Sequence, residues 1–354
     1  MRVLSLDTSC DDTSLAILEW QSPTKFSLLF NFVSSQAKIH APFGGVWPYL
    51  AKLEHKKNLP IIFKKAQKSG LTKKIDLIAV TVGPGLEPCL WEGINFAQKL
   101  AKEFSLEIVP VNHLEAHIFA NFFSKKFQRE FQIKNVLPAI SLIVSGGHTL
   151  LIFMENFGKY QVLGETRDDA AGECLDKIAR FLGLGYPGGP IIERIAKKGK
   201  RKYQISLPRP MIKQKNYDFS FSGLKTAVVY LTRKFDQKIL LSKDFIFEMA
   251  REAQDAVFDV LIEKTKRAIK FFKPKSLLLS GGVAANKTLQ NRFEKMIKEF
   301  PKVNFFVPPK EFCTDNAAMV GLCGAFSFFS SRSFGKLEAD GNLKLYGDSK
   351  NLRS

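Results

Sequence analysis

Two stretches of the chain repeat one design. Val3 to Leu6 is apolar, Asp7-Thr8-Ser9-Cys10-Asp11-Asp12-Thr13-Ser14 is polar and compact, and Leu15 to Leu18 is apolar again. About 137 residues later, counted from residue 8 to residue 145, Ile140-Ser141-Leu142-Ile143-Val144 runs into Ser145-Gly146-Gly147-His148-Thr149 and leaves through Leu150-Leu151-Ile152-Phe153. Short apolar runs bounded by polar turns read as buried strands. A strand-turn-strand unit repeated at this distance predicts two similar lobes, duplicated around a central cleft.

Between the hairpins, helical and strand patterns alternate. Lys52 to Ser69 has helical periodicity, Ile75 to Val82 is an apolar strand ending at Gly83-Pro84-Gly85, Gly93 to Phe104 is helical, and Ile108 to Val111 is a short strand. Such alternation argues for an α/β fold of mixed sheets and helical layers. After the second hairpin come a helix around Glu173 to Leu182, a loop at 183–190 and an irregular basic region to about Ser220. Phe245 to Phe272 reads as one or two amphipathic helices stopping at Pro274; Ser276 to Ser280 is a buried strand whose turn opens a helix through Lys298. The expected division is 1–111 for an N-terminal lobe and 112–330 for a C-terminal lobe whose last helices can pack back on the first, with a polar tail at 331–354 expected to be flexible.

Charge narrows the partner. Lys plus Arg number 53 against 34 Asp plus Glu, a formal net charge of +19, and a balance this basic favours a polyanion such as nucleic acid. The five cysteines are odd in number, scattered and never in Cys-x-x-Cys spacing, which suits buried free thiols in a reducing cytoplasm. No window approaches the roughly 20 apolar residues of a membrane span, so the expectation is a cytoplasmic protein.

His113 and His117 in Asn112-His113-Leu114-Glu115-Ala116-His117 are four residues apart, which on a helix puts both imidazoles on one face. The spacing fits a shared metal ion and equally a packed helix face. Glu115 lies about 200° around from His113 at 3.6 residues per turn, which disfavours the zinc-protease reading in which the acid follows the first histidine directly. Asp315, in Thr314-Asp315-Asn316 before an apolar run, is either a helix cap or the carboxylate that would complete a two-histidine, one-carboxylate site. Small-residue turns at 7–14, 145–149 and 280–286, each at a strand end, are either tight structural turns or cradles for phosphate.

These motifs occur in an order that resembles one family. Asp7-Thr8-Ser9-Cys10-Asp11-Asp12-Thr13 is followed by Phe43-Gly44-Gly45-Val46, Gly83-Pro84-Gly85-Leu86, the 112–117 segment, Leu142 to Thr149, Asp168 to Lys177, Gly185 to Pro190, Phe219 to Thr226, Gly281 to Asn286 and Thr314 to Met319. Over residues 1 to about 330 the chain resembles the TsaD family of tRNA N6-adenosine threonylcarbamoyltransferases, in its bacterial form. The resemblance implies a two-lobed actin-like, Hsp70-like fold that binds threonylcarbamoyl-AMP. It implies transfer of the threonylcarbamoyl group to N6 of the adenosine 3′ to the anticodon, in tRNAs reading codons that begin with A, with release of AMP.

By the same resemblance, His113, His117 and Asp315 hold one divalent metal, iron or zinc. Ile143, Val144, Ser145, Gly146 and Gly147 line the substrate, and Asp176, Gly189 and Asn286 hold its nucleotide part. Asp11 and Asp12 are the candidate bases for the N6 proton. Partners implied are tRNA and TsaB-like, TsaE-like and TsaC-like proteins. The chain departs from the family pattern at Glu193, where a ligand-contacting Asp is common, at Tyr49 and Leu53, which replace a Glu and an Arg, and at Pro88, which replaces a Gly. A non-catalytic scaffold subunit of the same complex and an actin-like ATPase or kinase are the alternative functions.

Overall fold

The structure, a computed structural model, describes residues 1–130, 133–330 and 335–345. The described chain divides into two units: Met1–Phe131 with Pro308–Leu345, and Gln132–Val307.

The first unit is built on a five-stranded sheet in the order β3-β2-β1-β4-β5. Here β1 is Arg2–Asp7, β2 Asp12–Ser22, β3 Lys25–Ser35, β4 Leu77–Gly83 and β5 Glu107–Asn112. Strands β1 to β3 form an antiparallel meander, while β4 and β5 run parallel to β1 and to each other. Side chains alternate across a strand, so each face of the sheet has its own composition. Leu4, Leu6, Leu15, Ile17, Ile78 and Val80 point to one face and pack with Leu59, Ile62 and Phe63 of the helix Pro48–Lys68 and Ile94, Ala97 and Leu100 of the helix Glu87–Phe104. Fully burying each such side chain contributes about 1.5–3 kcal/mol.

The other face offers Ser5, Ala16 and Ala79, all small. That lets the helix Ala317–Phe329 lie almost on the backbone. A Cβ added at Gly324 would come within 2.5 Å of Ala79 Cβ, and one at Gly321 within 2.7 Å of Ser5 Oγ. Ser5 Oγ donates to Ala317 O at 2.6 Å, which satisfies a hydroxyl that the close approach would otherwise bury unpaired.

The second unit repeats the layout strand for strand. Its order is β10-β9-β6-β7-β8, with β6 Ala139–Val144, β7 Thr149–Asn156, β8 Lys159–Glu165, β9 Ser276–Ser280 and β10 Asn304–Phe306. Again the first three strands are an antiparallel meander, β9 is parallel to β6, and β10 is parallel to β9. The duplication read from the two hairpins is therefore a duplication of whole sheets.

Several details differ from expectation. The third strand of each meander, β3 and β8, carries no clear sequence pattern because it is half exposed. The helix Gly188–Ala196 spans the end of the expected loop and the start of the irregular region. Lys243–Phe272 is one helix of 30 residues, ended by Lys273 in a left-handed conformation before Pro274. The expected lobe boundary at 111 falls inside the first unit. The helix His113–Phe119 that follows β5 stays there because its Phe119 ring packs against Phe326, at 5.1 Å between centroids, and the stacked Phe123 and Phe312 rings lie 3.9 Å apart. Of the tail expected to be flexible, 331–334 and 346–354 lie outside the described residues. Residues 335–345 are docked: Leu337, Ala339 and Leu343 pack on the first unit's core. Among the described residues no helix is long and apolar enough to cross a membrane.

Candidate functional site

In the first unit, polar chemistry collects at the C-terminal ends of β1 and β5, the strand ends where α/β sheets bind ligands. Asn112 ends β5 and caps the next helix: its Oδ1 accepts from Leu114 N at 2.9 Å and Glu115 N at 3.2 Å. His113 is thereby fixed at the first helical position and His117 one turn on, with ring centroids 4.6 Å apart and both rings buried. Asp315 reaches them from the segment before the helix Ala317–Phe329. It does not cap that helix: Asn316 does, accepting from Met319 N at 3.0 Å. Asp315 is left with its carboxylate turned to the histidines.

Asp315 Oδ1 lies 3.5 Å from His113 Nε2 and 3.3 Å from His117 Nε2. One ligand atom from each of the three residues falls within 4.8 Å of the others. Donor atoms about 2.1 Å from a tetrahedral ion stand about 3.4 Å apart, so these separations fit co-ligands of one cation. The buried His117 Nε2 has no hydrogen-bond partner despite that proximity, nor does its Nδ1. Two imidazole nitrogens and a carboxylate oxygen converging at this spacing are the donor set of a single cation. The residues present therefore fit a metal.

The electrostatics agree. Burial opposes charge on His113, but the carboxylates of Asp315 and Asp7 overcome it and raise its pKa to about 10. Burial, reinforced by the neighbouring His113, lowers His117 against the opposing pull of Asp315 and Asp7. Burial works against ionised Asp315 too, yet the two imidazoles hold it well below the usual carboxylate range. Such a cluster keeps a positive charge at its centre, and a metal ion would take the place of the proton.

Asp11 ends the turn between β1 and β2, and Asp12 opens β2. Burial, then the charge of Asp315, raises Asp11. Burial raises Asp12 to about 7, opposed by a hydrogen bond with Ser35 and reinforced by Asp11, Asp315 and Asp7. A carboxyl titrating near 7 is poised to accept a proton. The turn itself is held from inside. His55 Nε2 donates to Cys10 O at 2.9 Å, and Thr13 Oγ1 donates to His55 Nδ1 at 2.8 Å, which fixes a neutral ring whose pKa burial lowers. Gly85 lets the turn sit close, since a Cβ there would be 2.4 Å from Ser9 O.

The second unit collects the remaining expected residues. Ile143 and Val144 are wholly buried in β6, paired with β7 on one side and, at Ile143, with β9 on the other, so of the expected 143–147 stretch only the turn after them is open to a ligand. That turn is closed by Ser145 N donating to His148 O at 2.8 Å and His148 N donating to Ser145 Oγ at 3.0 Å, and the space beside Gly146 and Gly147 is empty within 4 Å. Asp176 Oδ1 accepts from Gly188 N at 2.7 Å and Gly189 N at 3.0 Å, capping the helix Gly188–Ala196. One turn along that helix, Glu193 Oε1 accepts from Lys287 N at 3.0 Å and lies 3.7 Å from Lys197 Nζ. Asn286 caps the helix Lys287–Ile297 through Thr288 N and Leu289 N, and its Nδ2 donates to Gln254. One helix thus links Asp176 and Gly189 to Glu193 and Asn286.

The family model described as TsaD, tRNA N6-adenosine threonylcarbamoyltransferase, matches residues 27–322. A relative of that name from Thermosipho africanus (strain TCF52B) is 43% identical over 348 residues, covering 98% of this chain and 100% of its own. Another, from Bacillus subtilis (strain 168), is 41% identical over 331 residues, covering 93% and 91%. The chain belongs to the TsaD family.

For the fold of this TsaD-family chain, the solved structure of HypF from T. kodakarensis is an independent match. It superposes with a TM-score of 0.58 at 14% identity, over 93% of this chain and 48% of HypF. At that identity the likeness speaks for the duplicated α/β fold alone. Around the candidate site, two residues carry little or no signal in the sequence. Asp7 is fully buried, with Oδ2 at 3.6 Å from His113 Nδ1; the available signal was an acid closing an apolar strand. His55 left no signal, because its role lies in a contact with a main-chain carbonyl 45 residues earlier.

Proposed function

We propose that His113, His117 and Asp315 are the metal ligands of a threonylcarbamoyltransferase acting on adenosine N6 in tRNA. The convergence of these three buried or half-buried side chains, with their ligand atoms within 4.8 Å of one another, carries the reading. The donor set, two imidazoles and a carboxylate, suits iron or zinc. When bound, the metal supplies Lewis-acid polarisation of the threonylcarbamoyl carbonyl.

The chain's own residues supply the rest. Asp7 faces His113 Nδ1 and orients that ring from behind. Adenosine N6 forms the new bond to the carbamoyl carbon as the bond from that carbon to the phosphate oxygen breaks, and AMP leaves with the electron pair. The proton lost from N6 passes to Asp12, whose carboxylate is basic enough to take it near neutral pH, with Asp11 beside it as the second candidate. The exposed turn at Gly146 and Gly147 suits the phosphate of threonylcarbamoyl-AMP, and the group of Asp176, Gly189, Glu193 and Asn286 suits its nucleotide part, with Asp176 and Glu193 already holding the amides of Gly188, Gly189 and Lys287. We place the protein in the cytoplasm, working with TsaB-like, TsaE-like and TsaC-like partners on tRNA, for which a net charge of +19 is apt.

The test is modified adenosine formed from tRNA and threonylcarbamoyl-AMP by the complete enzyme system, together with the metal content of the purified chain. His113→Ala should lose both. Modification at the wild-type rate by a folded His113→Ala chain would overturn the assignment.

A further inference from the structure

We infer that residues 335–345 form a strap that holds the metal-bearing helix in register, with Asn112 as its anchoring, positioning residue; the inference rests on the metal reading above. The strap lies along the C-terminal ends of β4 and β5. Asp340 N donates to Val82 O at 2.9 Å, Gly85 N donates to Gly341 O at 3.2 Å, and Asn112 Nδ2 donates to Lys344 O at 3.1 Å. An Asx turn shapes it internally, Asn342 N donating to Asp340 Oδ1 at 2.9 Å. Leu337, Ala339 and Leu343 pin it to the core beneath, and Leu345 is buried.

Two features tie this strap to the site rather than to stability in general. Asn112 uses both ends of one amide: Oδ1 caps the helix that presents His113 and His117, and Nδ2 is held by the strap. The orientation of the cap, and with it the start of the helix, therefore depends on Lys344 O. Gly83 is the seat. A Cβ there would stand 2.0 Å from Asp340 O and 2.9 Å from Leu343 Cβ, so only glycine leaves room for the strap against β4. Gly83 is paired with Asn112 across β4 and β5, so seat and anchor are neighbours. A helix of seven residues has little stability of its own, and its imidazoles need placement within about 0.5 Å to share an ion.

The experiment is a Zn(II) titration of the full-length chain, paired with amide hydrogen exchange across 112–119. Asn112→Ser keeps a capping oxygen but is too short to reach Lys344 O. Gly83→Ala fills the seat and leaves Asn112 intact. Leu343→Asp releases the strap from the core. Each should weaken Zn(II) binding by about 10- to 100-fold, the range for partners that orient metal ligands, and speed exchange at 113–117. Asn342→Ala, at an exposed strap position, should leave both unchanged. If Gly83→Ala fails to fold, Asn112→Ser and Leu343→Asp decide. Wild-type affinity in both of these would overturn the strap, and so would weakening by Asn112→Ser alone, which would assign the effect to the cap. A wild-type chain that binds no Zn(II) or Fe(II) would instead overturn the metal reading.

Discussion

The turn between β1 and β2 and the turn between β6 and β7 occupy the same place in two copies of one sheet, yet they are built for opposite charges. The first carries Asp7, Asp11 and Asp12 and is packed from several sides: Ser9 N donates to Asp7 Oδ1 at 3.1 Å, His55 holds Cys10 O, and Ser9 O fills the space beside Gly85. The second carries Ser145, Gly146 and Gly147, with open space beside both glycines. Buried carboxylates next to two histidines attract a cation, whereas bare amides at a strand end attract an anion. Duplication fixes where chemistry can sit, at the ends of corresponding strands. Residue type then decides which chemistry each copy performs.

The largest test of that contrast removes the cation site. His117→Ala or Asp315→Ala should lower the rate of threonylcarbamoyl transfer by about 10³-fold or more, since several kcal/mol of charge stabilisation go with the metal. Metal analysis and modified-adenosine counts on the same preparations would read it. A folded Asp315→Ala chain with wild-type metal content would break the comparison at its root.

Next in size is Asp12, with a pKa raised to about 7, by burial first. A base works when deprotonated, so kcat/KM should climb as pH rises through about 7. Asp12→Asn should cost about 10²- to 10³-fold and flatten that limb. The raised value also means that folding favours the protonated form, so the wild-type chain should lose stability from about pH 4 to pH 7 and Asp12→Asn should not. An unaltered pH profile in Asp12→Asn would move the proton transfer to Asp11.

How far the sequence foretold all this depends on locality. The two hairpins were legible because strand, turn and strand are contiguous, and their repetition implied the duplicated sheets. The His113 and His117 pair was legible from helical spacing, whereas Asp315 stood between cap and ligand, and the structure removes the cap alternative because Asn316 takes that place. Asp7, Asn112 and His55 act through contacts with residues distant in the chain, and no local pattern marks such contacts. The strap was misjudged for a related reason: residues 335–345 are held by main-chain hydrogen bonds and a few apolar contacts, and neither leaves a periodic signature.

A smaller effect would sharpen the other side of the comparison. Gly146→Ala adds a methyl group to open space and should leave thermal stability unchanged while raising KM for threonylcarbamoyl-AMP by about 10-fold, because the close approach of a ligand to the amides is what glycine permits. Gly172→Ala, which would meet Ser145 O at 2.6 Å, should do the reverse and destabilise the fold. If Gly146→Ala leaves KM untouched, the second turn is structural only.

The smallest effect belongs to Asp168, the carboxylate that most directly inverts Asp12. It accepts from Ser220 Oγ at 2.6 Å, Phe221 N at 2.7 Å, Ser222 N at 3.1 Å and Ser222 Oγ at 2.8 Å, joining the Asp168 to Lys177 segment to the start of the helix Ser222–Thr232. Burial is the largest single influence and opposes ionisation, but the four donors together outweigh it and hold its pKa below the ordinary 3.8. Its contribution is therefore complete above that value and is lost as pH falls through the folded-state pKa. Asp168→Asn keeps the shape but loses the charge and turns two donors toward the others, so at pH 7 it should cost about 1 kcal/mol, discounted for exposure. The cost should shrink as the pH falls below 3.8 and through the folded-state pKa. Denaturant melts of the two chains from pH 7 downward would read it: a cost that stays the same at every pH at which the chains fold would show that Asp168 acts through shape rather than charge, and the opposition between the two aspartates would fail.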